Sequence, residues 1–234
     1  MQRGRPLRGR HRAARQDRPH LSREQVVRAA LAIVDRDGLD GFSMRKLGAE
    51  LGVDPMAAYY YFPNKAAVLD GIVDAVLAET PSAPADDAPW DVRLREMMRT
   101  ARHALRAHPH ALPVLSTRQP SSIASLQRAE AAVAILHAAG FAPEEAFQVL
   151  NCMAGYVVGV TLAEVGLQPG GVSDPTDAEV MAHIAQLPAS EFPLLTALFR
   201  NASLFDADAR FEDGLDLFIA GLKARHGEPA RGMA

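Results

Sequence analysis

Apolar residues recur along most of the chain at spacings of three and four, the period of a helix with one buried face. Over residues 22–37, Val26, Ala29, Ala30 and Ile33 form such a stripe. Ser22 and Gln25 make an S-x-x-Q capping box ahead of it, and Gly38 ends it. Met44, Leu47 and Leu51, at i, i+3 and i+7, predict a short second helix that Gly52 stops by turning left-handed. Asp54 then offers an N-cap and Pro55 suits the first helical position, so a third helix begins almost at once. After Pro63, Asn64 caps a longer helix to residue 79, with Val68, Leu69, Ile72, Val73 and Val76 apolar.

Two helices joined by so short a Gly-containing turn are a helix-turn-helix pattern, whose second helix is exposed for recognition. Tyr59, Tyr60 and Tyr61 fan across that second helix, and one small core cannot bury all three. Ala58 and Phe62, four apart, are the inward pair; Pro55, Met56, Tyr59 and Tyr60 face out, with Tyr61 at the boundary. Exposed phenols can hydrogen-bond phosphates and lay rings on thymine methyls, although a helix pair packing the tyrosines against a neighbour has the same pattern.

Residues 80–89, TPSAPADDAP, are the clearest change of composition and mark a domain boundary. Beyond it, residues 90–107 carry Val92, Leu94, Met97, Met98, Ala101, Ala104 and Leu105 at helical spacing. A short segment at 110–117 is broken by Pro113, and helices at 121–139 and 143–167 follow, the latter opening on Pro143 and two acids. Residues 168–190, rich in Pro, Gly, Ser and Asp, predict a mobile loop. A last helix over 207–225 bears Phe211, Leu215, Phe218 and Leu222 as a stripe that needs a partner. Strand signals are weak throughout. The expected fold is all-α: an N-terminal helix-turn-helix, three-helix DNA-binding domain at 21–79 and a C-terminal helical domain at 90–226.

The net charge of −3 hides a division. Residues 1–65 hold 13 Lys or Arg against 7 Asp or Glu, so a polyanion would meet the N-terminal end. Seven of those arginines lie in residues 1–20, a flexible basic arm that either reaches DNA or serves only as a solubilising tail. The arginine-rich start is followed by no apolar segment, and no uninterrupted apolar run reaches the roughly 18 residues of a membrane span, which predicts a cytoplasmic protein without a membrane partner. The lone cysteine, Cys152, excludes an intramolecular disulfide and is read as a small buried hydrophobe. Eight histidines include no i, i+4 pair and are read as surface groups; with no Gly-rich phosphate loop, G-x-S-x-G or paired-Cys motif, neither an enzyme nor a cofactor is expected.

The stretch from Ser22 to Leu77 resembles the N-terminal domain of TetR-type transcriptional repressors. The likeness rests on Ala29-Ala30-Leu31, Gly38-Leu39, Phe42-Ser43, Arg45-Lys46-Leu47, Leu51-Gly52-Val53, Tyr59-Tyr60-Tyr61-Phe62 and Asn64-Lys65. The family often has His at the position of Tyr61 and a small polar residue at that of Ala57. With the residue types above, it makes Ser43, Met44, Arg45, Pro55, Met56, Ala57, Tyr59, Tyr60, Tyr61 and Lys65 the candidate contacts to a double-stranded operator. From Trp90 onward the chain resembles the C-terminal domain of the tetracycline-repressor subgroup, through Trp90, Gly140-Phe141, Gly159 with Glu164, and Phe211-Glu212-Gly214-Leu215 with Gly221-Leu222. That implies a domain that dimerises and holds a small effector. Drug-binding members use a polar and aromatic pair where Met97 and Ala101 stand here, and a metal-bound His where this chain has apolar residues such as Val114.

Candidate effector residues are Met97, Met98, Ala101, Arg118, Phe147, Asn151 and Glu164, a mostly apolar set with a few polar groups. The alternative for Asn151 and Glu164 is a dimer interface or solvent. Gly155 and Gly159, with the stripe from Phe211 to Leu222, are the expected homodimer surface. The resulting expectation is a ligand-responsive repressor on a pseudo-palindromic operator. The alternative is an all-α binding protein or enzyme in which the helix-turn-helix is only a packing unit.

Overall fold

The structure is a computed structural model and describes residues 21–80, 87–118, 122–165, 182–184, 186–198 and 206–227. The basic arm at 1–20, most of the Pro-Ala-Asp linker and residues 168–181 of the expected loop lie outside the described residues. The chain order is α1 (Arg23–Asp37), α2 (Met44–Glu50), α3 (Pro55–Tyr61), α4 (Lys65–Ala78), α5 (Trp90–Ala107), a 3-10 turn (Pro109–Ala111), α6 (Leu112–Leu115), α7 (Ile123–Ala138), α8 (Pro143–Glu164), α9 (Pro193–Leu198) and α10 (Ala207–Gly227). No strand occurs among the described residues.

The capping chemistry sets the helix starts. Gln25 N–H donates to Ser22 Oγ at 3.2 Å while the Ser22 N–H donates to Gln25 Oε1 at 2.8 Å, the reciprocal pair expected at α1. Ser43, Asp54 and Asn64 accept from Lys46, Met56 and Ala67 N–H groups at 3.2, 2.8 and 2.8 Å. Gly38 and Gly52 have φ of 72° and 65°, a left-handed backbone that other residues adopt only under strain, and end α1 and α2. Pro113 does not break its segment: it lies in the first turn of α6, where its missing N–H costs nothing. The break is at His108, before Pro109, whose φ and ψ of −125° and 59° leave the helix.

One hydrophobic core runs from Val26 in α1 to Leu222 in α10. α1 buries Val26, Ala30, Ile33 and Val34 against α4, and α8 packs between α5 and α7. Most of the α10 stripe is covered within the single chain, with Phe218 half-buried. Phe211 and Leu215 are fully buried in the chain's own core, Ile219 and Leu222 nearly so, each removing apolar surface worth about 1.5–3 kcal/mol. What α10 leaves open is the opposite side, where Leu217 is 77% exposed and Gly221 meets open space. Tyr156 on α8 fastens the two helices: its hydroxyl donates to the Phe211 carbonyl at 3.0 Å, and a Cβ at Gly214 would collide with it.

α8 is 22 residues long and contains an 18-residue window with a mean hydropathy of 1.5, long and apolar enough to cross a membrane by composition alone, although no uninterrupted apolar run suggests it. It lies instead on α5 and α7. Its open face carries Phe147, Asn151, Cys152, Gly155 and Gly159, so Cys152 is exposed rather than buried.

Candidate functional site

The head is built by close approach of α2 to α3. A Cβ at Gly48 would stand 2.9 Å from Pro55 Cα and 3.0 Å from Pro55 N, so only glycine allows this crossing. Ala58 and Phe62 are fully buried beneath, and their burial turns Met56 (70% exposed), Tyr59 (39%) and Tyr60 (86%) outward. Pro55 and Ala57 are half-buried on the flanks of that face. Across α1 and α2, Lys46 is held by Asp37 at 2.7 Å and Arg36 by Glu50 at 3.0 Å. Arg45 is exposed and makes no hydrogen bond or ion pair among the described residues. An unpaired exposed guanidinium and an exposed aromatic helix face are both groups that suit a nucleic acid.

Three of the expected contacts are occupied otherwise. Met44 is buried in the head core at 7% exposure and is unavailable to a groove. The Tyr61 hydroxyl donates to the Leu21 carbonyl, and its ring packs against the core. Lys65 Nζ donates to the Phe42 carbonyl at 3.0 Å and lies 5.5 Å from the Phe42 ring centre, tying α4 to the loop before α2. Ser43 is exposed and its side chain caps α2.

A cavity of about 340 Å³ opens where the end of α4 meets α5 and α7. Leu77 and Thr80 line it from α4 and its C-terminal end, Met97, Met98 and Ala101 from α5, and Ala124, Gln127, Arg128, Ala131 and Ala132 from α7. Three of the expected effector residues, Met97, Met98 and Ala101, therefore come together. Four do not. Arg118 donates to the Ala66 carbonyl and pairs with Asp70 on α4. Phe147 and Asn151 lie on the open face of α8. Glu164 is buried and accepts from Arg102 at 2.9 Å. Sequence reasoning missed Leu77, Thr80, Gln127 and Arg128. The signal for Arg128 is a charge whose neighbours at i−4, i+3 and i+4 are all alanine, which leaves space beside it.

Arg102 belongs to a ladder joining α5 to α8 and α10. It pairs with Glu164 and with Asp208 at 2.7 Å, while Arg99 holds Glu212 at 2.7 Å. Burial works against the Arg102 charge, but Glu164 and Asp208 outweigh it and hold its pKa above the usual arginine value. Arg99, Arg102, His103 and Arg106 also line a second cavity of about 500 Å³, but its three arginines are satisfied by acids. Among the described residues no three His, Cys, Asp or Glu side chains converge as a metal site.

α4 links head and body. Its acids are gripped along one side: Asp70 by Arg118, Asp74 by Ser125 on α7, and Glu79 at its C-terminus by His108 at 3.0 Å. His108 is a half-buried clamp rather than a surface group.

Residues 26–72 match the family described as "Bacterial regulatory proteins, tetR family", and residues 81–226 match "Tetracyclin repressor-like, C-terminal domain". The chain belongs to the TetR family. It is 34% identical over 207 residues to the tetracycline repressor protein class A from transposon 1721 of Escherichia coli, covering 88% of this chain and 92% of that one. It is 32% identical to the HTH-type transcriptional repressor DrrR1 of Streptomyces coeruleorubidus, covering 94% of this chain and 85% of the relative. The Streptomyces coelicolor TetR family protein ActR, solved in complex with actinorhodin, superposes with a TM-score of 0.79 at 30% identity, over 89% of this chain and 99% of that one. As a TetR family member with this all-α architecture, the chain is a ligand-responsive transcriptional repressor.

Proposed function

We propose that the protein works in the cytoplasm as a two-fold homodimer on a pseudo-palindromic operator, and that a small, mostly apolar effector entering the α4–α5–α7 cavity releases it. The observation that carries this is the position of Leu77 and Thr80. They wall the cavity at one end of α4, whose other end starts three residues after α3. A ligand there touches the helix that places the recognition face. It lowers DNA affinity by binding better to a conformation in which the two heads no longer match the half-sites. Arg45, Pro55, Met56, Ala57, Tyr59 and Tyr60 are the proposed operator contacts, with Ser43 near phosphate. Tyr61 and Lys65 act by holding the head together. The α8 face with Phe147, Gly155 and Gly159 and the α10 face with Leu217 and Gly221 are the proposed dimer surface, where glycines permit close approach.

Met97 and Ala101 support an effector other than a metal-chelated tetracycline, because neither offers the polar group such a ligand needs. The test is fluorescence anisotropy on the DNA flanking the protein's own gene, repeated across a panel of apolar aromatic compounds. Sequence-specific binding that one compound abolishes is the expected result; binding equal to that of unrelated DNA overturns the reading.

A further inference from the structure

Arg128 on α7 lines the cavity, and its Nη1 is buried without a hydrogen-bond partner. No acid among the described residues pairs with it, in contrast to Arg99, Arg102, Arg106 and Arg118, each of which holds a carboxylate. No carboxylate lines the cavity. Thr80 has already committed its hydroxyl proton to the Leu77 carbonyl at 2.6 Å. The guanidinium is a cation, so the cavity wall carries a positive charge deprived of part of its hydration. A buried donor without a partner is costly, and the chain retains one where small alanine side chains leave room for another molecule.

We propose that Arg128 selects the effector: the ligand is an organic anion, a flat apolar body bearing one carboxylate, sulfonate or acidic phenol, with its charge on Arg128 and its body against Met97, Met98 and Leu77. This rests on the cavity being the effector site. The volume of about 340 Å³ admits a body of two to three fused or linked rings. The flexible thioethers of Met97 and Met98 adapt to the body, and the planar fork of Arg128 fixes its orientation. Neutral compounds of the same shape lose the charge-assisted hydrogen bond and leave the nitrogen unpartnered, which discriminates against them twice.

The test uses the full chain and a matched pair of fluorescent probes, 8-anilinonaphthalene-1-sulfonate and the same skeleton without the sulfonate, N-phenyl-1-naphthylamine. The wild type binds the sulfonate one to one and about ten- to a hundredfold more tightly than the neutral probe. Arg128→Met removes that preference by weakening the sulfonate alone, Arg128→Lys keeps most of it, and Ala101→Trp, which fills the cavity, abolishes both. Equal affinity of the wild type for the two probes, or equal loss of both in Arg128→Met, overturns the anion proposal while the cavity stands. Undiminished binding of both probes to Ala101→Trp removes the cavity itself and the proposal with it. Thermal unfolding guards against misfolding: Arg128→Met melts at or above the wild-type temperature, because it deletes an unpaired buried donor. A marked fall would assign Arg128 a structural role and overturn the proposal.

Discussion

His108 Nδ1 stands 2.8 Å from Asp35 Oδ2, joining the turn after α5 to the last turn of α1. Its Nε2 faces Glu79 at the C-terminal end of α4, so both nitrogens meet carboxylates and only the imidazolium can donate to both. Burial opposes that charge, but the two acids outweigh it, and the pKa lies above the usual histidine value. With the folded-state pKa raised, the clamp's contribution is complete below the unfolded value of about 6.5 and is lost as pH rises through the higher folded value. Chemical denaturation of wild type and His108→Gln between pH 5.5 and 9 should show a gap of about 1–2 kcal/mol at the acid end that narrows toward the alkaline end. A gap that widens with pH would contradict the imidazolium assignment.

Much of the head was legible in the sequence because its signals are local. Ser22 with Gln25, Asp54 with Pro55, and Asn64 each act within one helical turn, so spacing alone locates them. The inward pair Ala58 and Phe62 follows from the same periodicity. What spacing could not supply is which long side chain finds which distant partner. Lys65 on the Phe42 carbonyl, Tyr61 on Leu21 and Arg118 on Asp70 span 23 to 48 positions, and each commits a side chain to a contact that spacing does not reveal. The α10 stripe shows a second limit: periodicity reveals that a face is buried, not whether the cover is its own chain or another.

Arg45 and Lys65 should separate on DNA. Arg45 is exposed and unpaired, so Arg45→Ala should cost about 1–3 kcal/mol of operator binding, relax base preference at one position and leave the fold untouched. Lys65→Ala instead breaks the hydrogen bond to Phe42 and should lower head stability by about 1 kcal/mol, weakening binding to every sequence alike. Melting curves beside anisotropy on operator and scrambled DNA distinguish the two; a stable Lys65→Ala with altered base preference would return it to the groove.

Gly48→Ala tests the helix-turn-helix crossing. The added methyl meets Pro55 backbone atoms at 2.9 and 3.0 Å, and backbone cannot swing aside as a side-chain tip can. α3 must shift, at a cost of about 1–3 kcal/mol. Operator affinity should fall while probe binding in the distant cavity is retained. Wild-type operator affinity in this variant would show that the crossing tolerates more slack than the contact distances allow.

Met97→Trp places an indole in the cavity beside Leu77 and Thr80. If occupancy of that space is what moves α4, the variant should lose effector binding and also bind operator more weakly without any ligand, as a partly induced protein. If the cavity only admits the ligand and α4 is driven from elsewhere, effector binding disappears while operator affinity is unchanged. Anisotropy on ligand-free protein decides between filling and signalling.

Leu217 and Gly155 address the oligomer through opposite chemistry on the open faces of α10 and α8. Leu217 is 77% exposed on α10, and a Cβ at Gly155 on α8 meets open space within the single chain. Leu217→Arg puts a charge into an interface it would have to desolvate, and Gly155→Leu keeps the surface apolar while blocking close helix approach. Neither residue supports the fold of one chain, so both variants should melt with intact helical signal. Sedimentation at micromolar concentration should nonetheless show monomers for both variants and a dimer for the wild type. Operator affinity should then fall steeply in both, because each half-site must be bound without the other's help, whereas affinity for a single half-site should hold. Dimers that persist in both variants would place the interface away from the open faces of α8 and α10.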